Sequence, residues 1–253
     1  MDLVTLTDHD SIGAAEALRR RPDFFLSEEV SCLLPSGTEI HMGVYNITER
    51  QHAEIARRRD DFFSLLAYLN EQRLFFSINH LFSHLTGRRE LEDFELFEAH
   101  FPAIETRNGQ ILPKNNQHAS RLARKWRKAQ VAGSDAHILE FAGTTFTEVP
   151  GARDKAEYLA GLRAGWGRPC GDTGSYWKLT RAVLQIGFGM MREKRWTLLL
   201  APLAALVPVC ILGNYLMEIE FAQHWRRRIS PAQATRRLPS SWRAKPISDG
   251  VPI

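Results

Sequence analysis

The segment LVTLTDHDSIG, residues 3–13, places three ligand-type side chains directly after a short apolar run. The run Leu3–Leu6 predicts a buried strand, and Ser11–Arg21 predicts the helix that follows it. His9, with an aspartate on either side, would then lie at the carboxyl end of that strand. Sites of α/β proteins are usually built there. The segment therefore predicts an α/β protein with a site near its first strand.

Strand-like runs alternate with helical periodicity up to about residue 170, which predicts a parallel α/β architecture. Predicted strands lie at Glu39–Val44, Leu74–Ile78 and Ala103–Thr106, and predicted helices at Ile47–Glu71 (with one break), Glu90–His100, Asn115–Ala129 and Lys155–Ala164. Polar ligand-type residues recur after the apolar runs, at His9, His41, His80, Asn108, Asp135 and His137. In a (β/α) barrel such positions share one face, where active sites are built.

Composition indicates a globular protein without a basic nucleic-acid groove. Of the 33 basic and 29 acidic residues, seven basic and one acidic lie within residues 226–253, so the rest of the chain is close to neutral. Nucleic-acid binding by the main body is therefore not expected. The three cysteines, Cys32, Cys170 and Cys210, have no paired spacing. This spacing favours a reducing, cytoplasmic location, and no secretory signal is predicted.

The run Trp196–Met217, WTLLLAPLAALVPVCILGNYLM, contains 22 residues without a charge. It is long enough to cross a bilayer as a single-pass anchor, and basic residues flank it. The alternative is a buried helix pair that packs on the barrel and breaks at Pro208. The predicted organisation is a domain at 1–170, a helical linker at 171–195, a membrane helix at 196–217 and a basic disordered tail at 226–253.

Several of these side chains suit a metal centre. Asp135 and His137 are two residues apart after a strand and could reach neighbouring ions, and a carboxylate at Glu29 could bridge two of them. Nitrogen and carboxylate ligands suit zinc, manganese or iron rather than calcium. Each signal alone has a simpler explanation. A single histidine is more often structural than a ligand, Glu28 beside Glu29 could be surface charge, and Asp8 could be a hydrogen-bonding partner.

Taken in order, the motifs TDHDSIG, EEVSC, EIHMGVY, NHLF, IETRNG and GSDAH resemble those of the PHP (polymerase and histidinol phosphatase) family of metal-dependent phosphoesterases. The resemblance extends over residues 2 to about 147. It implies a distorted seven-stranded (β/α) barrel that holds up to three metal ions and hydrolyses phosphate mono- or diesters. The substrate would be a small phosphorylated molecule; the oligomeric state is left open.

The resemblance also implies roles for individual residues. Glu29 would bridge two metals, and His41 and His80 would complete the second site. Asp135 would join Glu29 at the first site. The third site would be held by His9 and His137.

One family feature is missing from this sequence. Family members begin with a strand that ends in His-x-His, and no His-x-His occurs here, since His9 is the first histidine. The expectation is a PHP barrel without its first strand, from a chain shortened at its N-terminus or from a degenerate member with impaired activity. His9, Asp135 and His137 remain the candidate catalytic residues. The alternative function is non-catalytic: a membrane-associated PHP-fold protein that binds or scaffolds.

Overall fold

The core of the protein forms around a five-stranded mixed sheet. The computed structural model describes residues 2–229. Its strands are β1 (Ser27–Leu33), β2 (Glu39–Tyr45), β3 (Phe75–Ile78), β4 (Ala103–Asn108), β5 (Ala129–Gly133), β6 (Thr145–Glu148) and β7 (Arg168–Gly171). Its helices are α1 (Glu49–Ala56), α2 (Phe62–Glu71), α3 (Leu91–His100), α4 (Pro113–Lys125), α5 (Lys155–Arg163), α6 (Tyr176–Glu193) and α7 (Val207–Arg228), with a long 3₁₀ helix at Arg195–Leu206.

The strand order differs from the parallel arrangement that the alternation predicts. The sheet has the order β1-β2-β3-β4-β5; β2 is antiparallel to both of its neighbours, and β3, β4 and β5 are mutually parallel. The remaining strands, β6 and β7, form a separate antiparallel pair. The α/β class is therefore confirmed as a mixed fold, whereas the seven-stranded barrel is not confirmed. Because β1 and β2 are joined by the tight turn PSG, they pair as a hairpin, which parallel strands cannot do.

The predicted strand Leu3–Leu6 is wrong for the described residues, although the segment does lie beside β1. It contributes one isolated bridge, between Val4 and Phe24, and the chain pairs again at His9 and Glu29. Both bridges are parallel. Backbone hydrogen bonds on either side of His9 fix this position. The amide of Glu29 donates to the carbonyl of Asp8 at 3.1 Å, and the amide of Asp10 donates to the carbonyl of Glu29 at 2.8 Å.

The helix predicted at Ser11–Arg21 is also shorter than expected, since only a 3₁₀ helix at Gly13–Ala17 forms. The later helices agree with their predicted positions. The long stretch Ile47–Glu71 does break once, between α1 and α2. Thr48 forms a capping box at the start of α1, and the Asp61 side chain caps α2. The break therefore has a local cause, because a new cap begins a new helix.

The C-terminal half of α7 packs into the main core. Trp225 is buried and lies against Phe94 with ring centroids 5.0 Å apart, and Ala222 is buried beside it. Because α7 continues to Arg228, the first residues of the predicted basic tail are helical; residues 230–253 lie outside the described part of the chain. The end of the apolar run is thus attached to the domain.

We expect Trp225→Ala to lower the free energy of unfolding by about 3–5 kcal/mol, because it removes a large buried ring and leaves a cavity. Urea unfolding without lipid measures the change. Trp196→Ala is the matched control, since this indole is 66% exposed and its loss should cost less than about 0.5 kcal/mol. Equal losses for the two variants would show that α7 does not pack as described.

Candidate metal centre

Two histidines and one carboxylate converge from β1, β2 and the segment after β3: Glu29 lies within β1, His41 lies within β2, and His80 follows β3. The Nε2 atom of His80 lies 3.2 Å from Oε1 of Glu29 and 3.2 Å from Nδ1 of His41. The Nδ1 atom of His41 lies 3.8 Å from the same carboxylate oxygen. Pairing explains the arrangement, because Glu29 on β1 is opposite Gly43 on β2, and the antiparallel partner of β2 is β3, which leads directly to His80.

His9 approaches the other oxygen of the same carboxylate. Its Nε2 atom lies 3.3 Å from Oε2 of Glu29, and its ring meets the ring of His41 edge-on, with centroids 4.5 Å apart. One ligand atom each from His9, Glu29 and His41 lies within 4.8 Å of the others. The two oxygens of Glu29 therefore face different histidines. This arrangement suits a carboxylate shared by two adjacent sites.

A second buried carboxylate supports the site from behind. Glu105 on β4 accepts a hydrogen bond from the His80 amide at 2.9 Å and another from Nδ2 of Asn108 at 3.0 Å. The same Asn108 nitrogen lies 3.1 Å from Oδ2 of Asp135, which it donates to. Asp135 is thus connected to the histidine cluster through one amide and one carboxylate.

His137 lies apart from the other predicted ligands. Its Nδ1 atom donates to the carbonyl of Asp135 at 3.0 Å, and its side chain is 61% exposed. Because this bond uses the Nδ1 proton, the lone pair of the neutral ring lies on Nε2, where it can bind a metal or accept a proton. Among residues 2–229 no recorded contact joins His137 to His9, so their predicted shared site stays a prediction.

Burial and opposite charge shift the pKa values of the central pair. Burial alone would raise the pKa of Glu29, but hydrogen bonds from His80 and Asn79 and the nearby histidine charges lower it to about 2. Burial alone would lower the pKa of His80, but Glu29 and the charges of Glu105 and Asp135 raise it to about 9. In the metal-free protein the two groups therefore form an ion pair.

For Glu105, the effect of burial on the pKa outweighs that of its hydrogen bonds and of the opposite charge on His80. Burial, with a contribution from the Asp135 charge, raises the pKa of Glu105 to about 7, although His80 and Asn108 act against this shift. Two buried carboxyl groups, Glu29 and Glu105, and the partly exposed Asp135 therefore lie around His80. Crowded carboxyl groups with shifted pKa values are typical of functional sites, including those that bind cations.

The donor set fits a divalent transition metal. Ligand nitrogens at about 2.0 Å from a tetrahedral zinc ion are separated by roughly 3.3 Å. The separations of 3.2 Å from His80 Nε2 to His41 and to Glu29 match that edge length. Imidazole and carboxylate donors admit zinc, manganese or iron, and these residues do not choose among them.

Two candidate ligands have a strained backbone, as do four other non-glycine residues in the described part of the chain. His80 has φ of 28° and Asp135 has φ of 48°, both in the left-handed region that non-glycine residues rarely adopt. Each conformation costs free energy that the surrounding hydrogen bonds must offset, and strain of this kind clusters at functional sites. The amide of His80, held by Glu105, is one such compensation.

Sequence reasoning proposed Glu29, His41, His80, Asp135 and His9 as ligands, and it listed Asn108 among the polar residues that follow strands. It gave no role to Glu105 or Asn79, although IETRNG and NHLF contain them. The position of Glu105 within a buried strand was the available signal, since a carboxylate there needs a partner. The alternative of surface charge does not hold for Glu28, which is buried on the opposite face of β1, with Oε2 2.7 Å from Nδ1 of His52.

Comparison with known proteins agrees with the motifs. A family model described as PHP-associated matches residues 113–165, a range that includes the GSDAH motif, and so supports the resemblance to the PHP family. The sequence finds no match among curated proteins.

Three solved structures are similar to the chain. One is described as a metal-dependent phosphoesterase from Bifidobacterium adolescentis, at 14% identity and TM-score 0.41, covering 64% of this chain and 85% of its own. PsfC from Pseudomonas syringae has 20% identity and TM-score 0.46, with coverage of 67% and 74%. An amidohydrolase from Chromobacterium violaceum has 18% identity and TM-score 0.43, with coverage of 65% and 86%.

The ion pair predicts a pH-dependent stability for the metal-free protein. Because the pKa of Glu29 falls from 4.5 to about 2, its contribution is complete above pH 4.5 and is lost as the pH falls toward 2. Because the pKa of His80 rises from 6.5 to about 9, its contribution is complete below pH 6.5 and is lost as the pH rises through 9. The stability difference between wild type and Glu29→Gln should therefore be largest between pH 4.5 and 6.5.

Urea midpoints of the metal-free proteins from pH 4 to about 9.5 measure that difference. A difference independent of pH would show that the two groups are not paired.

Metal binding should depend on the same cluster. We expect His80→Ala and Glu29→Gln each to lower affinity for zinc or manganese by at least about tenfold, because each removes a donor. Isothermal titration of metal-free protein measures the affinity. Glu98→Gln, an exposed carboxylate on α3, is the control and should bind as wild type does. Equal affinity in all four proteins would rule out this centre.

Proposed function

We propose that the protein hydrolyses phosphate esters in a metal-dependent reaction at this centre. The observation that supports the proposal is the two-sided carboxylate of Glu29, which faces His80 and His41 with one oxygen and His9 with the other. Phosphate esters are the substrates that a cluster of cations favours, because both the attacking and the leaving oxygen carry negative charge. The substrate class is a small phosphorylated molecule, a monoester or a diester.

Glu29, His41 and His80 would hold one metal, and Asp135 would share Glu29 with a second. Of His9 and His137, one would serve a third ion and the other would transfer a proton. A bound divalent cation would lower the pKa of water and offset the charge that develops on phosphate. The chain's own groups do the positioning. Asn108 orients Asp135, and Asn79 donates to Glu29 at 2.8 Å.

His137 is placed to handle a proton. Its Nδ1 is occupied by the carbonyl of Asp135, so the neutral ring keeps an acceptor at Nε2, and its protonated form has a donor there. The imidazole is exposed, so it can reach a substrate that enters from solvent. We assign to it, or to the equally accessible His9, the transfer of a proton to the leaving oxygen.

Hydrolysis of 4-nitrophenyl phosphate and bis(4-nitrophenyl) phosphate tests the proposal with zinc, manganese or iron(II) added to metal-free protein. We expect activity that requires metal and that falls at least about 100-fold in His80→Ala. His224→Ala is the matched control, since this histidine is exposed on α7. His137→Ala should lower kcat while leaving metal affinity within about threefold.

A protein that binds metal but hydrolyses neither ester would contradict the proposal. Metal binding at the centre without hydrolysis of either ester would support the alternative, a PHP-fold protein that binds without catalysis. The missing His-x-His makes this comparison informative, because its two imidazoles would have added donors beside Glu29 and Asp135.

A further inference from the structure

The longest exposed apolar surface lies on the 3₁₀ helix Arg195–Leu206, far from the metal centre in sequence. Its exposed large side chains are Trp196, Leu198, Leu199, Leu203 and Leu206, and Leu199 is 84% exposed. A 3₁₀ helix repeats every three residues, so Leu198, Leu199 and Leu203 lie on three different faces. Exposed leucines therefore occur on all three rows of this helix, and buried Thr197 marks the side that packs on α6.

The same surface continues onto the first half of α7. Val209, Leu212 and Leu216 follow helical spacing on one face, and Met217 lies beside it; Val209 is 67% exposed. The α-helix and the 3₁₀ helix together form one helix-like stretch, Ala201–Arg228, apolar enough for a membrane by length and composition. An exposed apolar patch of this length is larger than soluble proteins usually leave without a binding partner.

Two attachments of this surface to the domain favour a position in the membrane plane over a crossing of the bilayer. In α7, the buried carboxylate of Glu218 accepts hydrogen bonds from Ser83 Oγ at 2.8 Å, the His84 amide at 3.0 Å and Asn115 Nδ2 at 3.2 Å. The chain after Met217 therefore stays on the domain side.

The other attachment is α6. Arg181 pairs with Glu140 at 2.8 Å, and Gln185 donates to the same carboxylate at 3.4 Å. Only residues 186–193 of α6 remain beyond that contact, which is about 12 Å of helix. A bilayer core is about 30 Å thick. The turn at Lys194 therefore cannot reach the far side.

From these constraints we infer that the 3₁₀ helix and the first half of α7 lie in the plane of a membrane surface, as a monotopic attachment. One side of the segment packs on α6, where Thr197 Oγ1 donates to the carbonyl of Met190 at 3.4 Å, and lipid would cover its other, exposed sides together, whereas a second copy would cover one face. The turn supplies exposed basic side chains at Arg192 and Lys194 for anionic headgroups. Trp196 has an apolar ring and one N–H donor, so it suits the boundary between the polar headgroups and the apolar lipid tails.

Vesicle flotation of the full chain tests the attachment. We expect binding to vesicles of phosphatidylcholine with 30% phosphatidylglycerol, and weaker binding to phosphatidylcholine alone. Leu199→Glu with Leu203→Glu should lower the bound-to-free ratio at least about tenfold. Neutralising Arg192 and Lys194 to glutamine should lower it about fivefold per side chain on anionic vesicles. Leu85→Glu, an exposed leucine outside the apolar surface, is the control and should bind unchanged.

Labelling of a single cysteine tests whether the segment lies in the plane of the membrane or crosses it. Lys194→Cys, in a chain with Cys170→Ala and Cys210→Ala and with Cys32 buried, can be labelled with a membrane-impermeant maleimide on sealed vesicles. Full labelling from outside, without detergent, is the expected result. Labelling only after detergent would show a spanning helix and overturn the inference.

Two further outcomes would also overturn it. One is the absence of flotation with either vesicle. The other is a dimer in lipid-free solution that Leu199→Glu dissociates, because a second copy would then cover the surface.

Discussion

The carboxylate of Glu29 is the constraint on which the site depends. It is buried at the junction of three chain segments, and burial alone would favour its neutral form. His80 and Asn79 donate hydrogen bonds to it, and the charges of His80 and His41 help to keep it ionised. Removing any one of them leaves a buried charge with fewer partners, which costs more than the lost contact itself. The strands around the site are thus held to a narrow geometry by electrostatics as much as by packing.

The site could be predicted from sequence where its residues follow strands. His41, His80 and Asp135 each lie in or after an apolar run, and a sheet brings such positions to one edge. Glu105 could not be assigned in the same way. It is flanked by buried residues within β4, and its partners are a backbone amide from the neighbouring strand and an asparagine three residues on. Neither partner leaves a pattern in composition or spacing.

The fold shows a similar division. Helix α5 and strand β2 were predicted almost to the residue, because caps and alternation are local signals. Strand direction is not local. The hairpin of β1 and β2 and the separate pair β6–β7 depend on which runs meet in space, and the apolar pattern of a short buried strand is the same in either direction. The segment at Leu3–Leu6 had a strand-like pattern, but in the described structure it forms only one bridge.

Two consecutive asparagines on α4 connect the apolar surface with the metal centre. Asn115 donates to Glu218 on α7, at 3.2 Å, and so holds the helix that ends the apolar run. Asn116 accepts from the amide of Asn108 at 3.1 Å and donates to its carbonyl at 3.0 Å. Asn108 in turn orients Asp135. Because both asparagines lie in the first turn of one helix, a displacement of α7 cannot change the first contact without straining the second. The attachment surface and the ligand that follows β5 therefore share one rigid support.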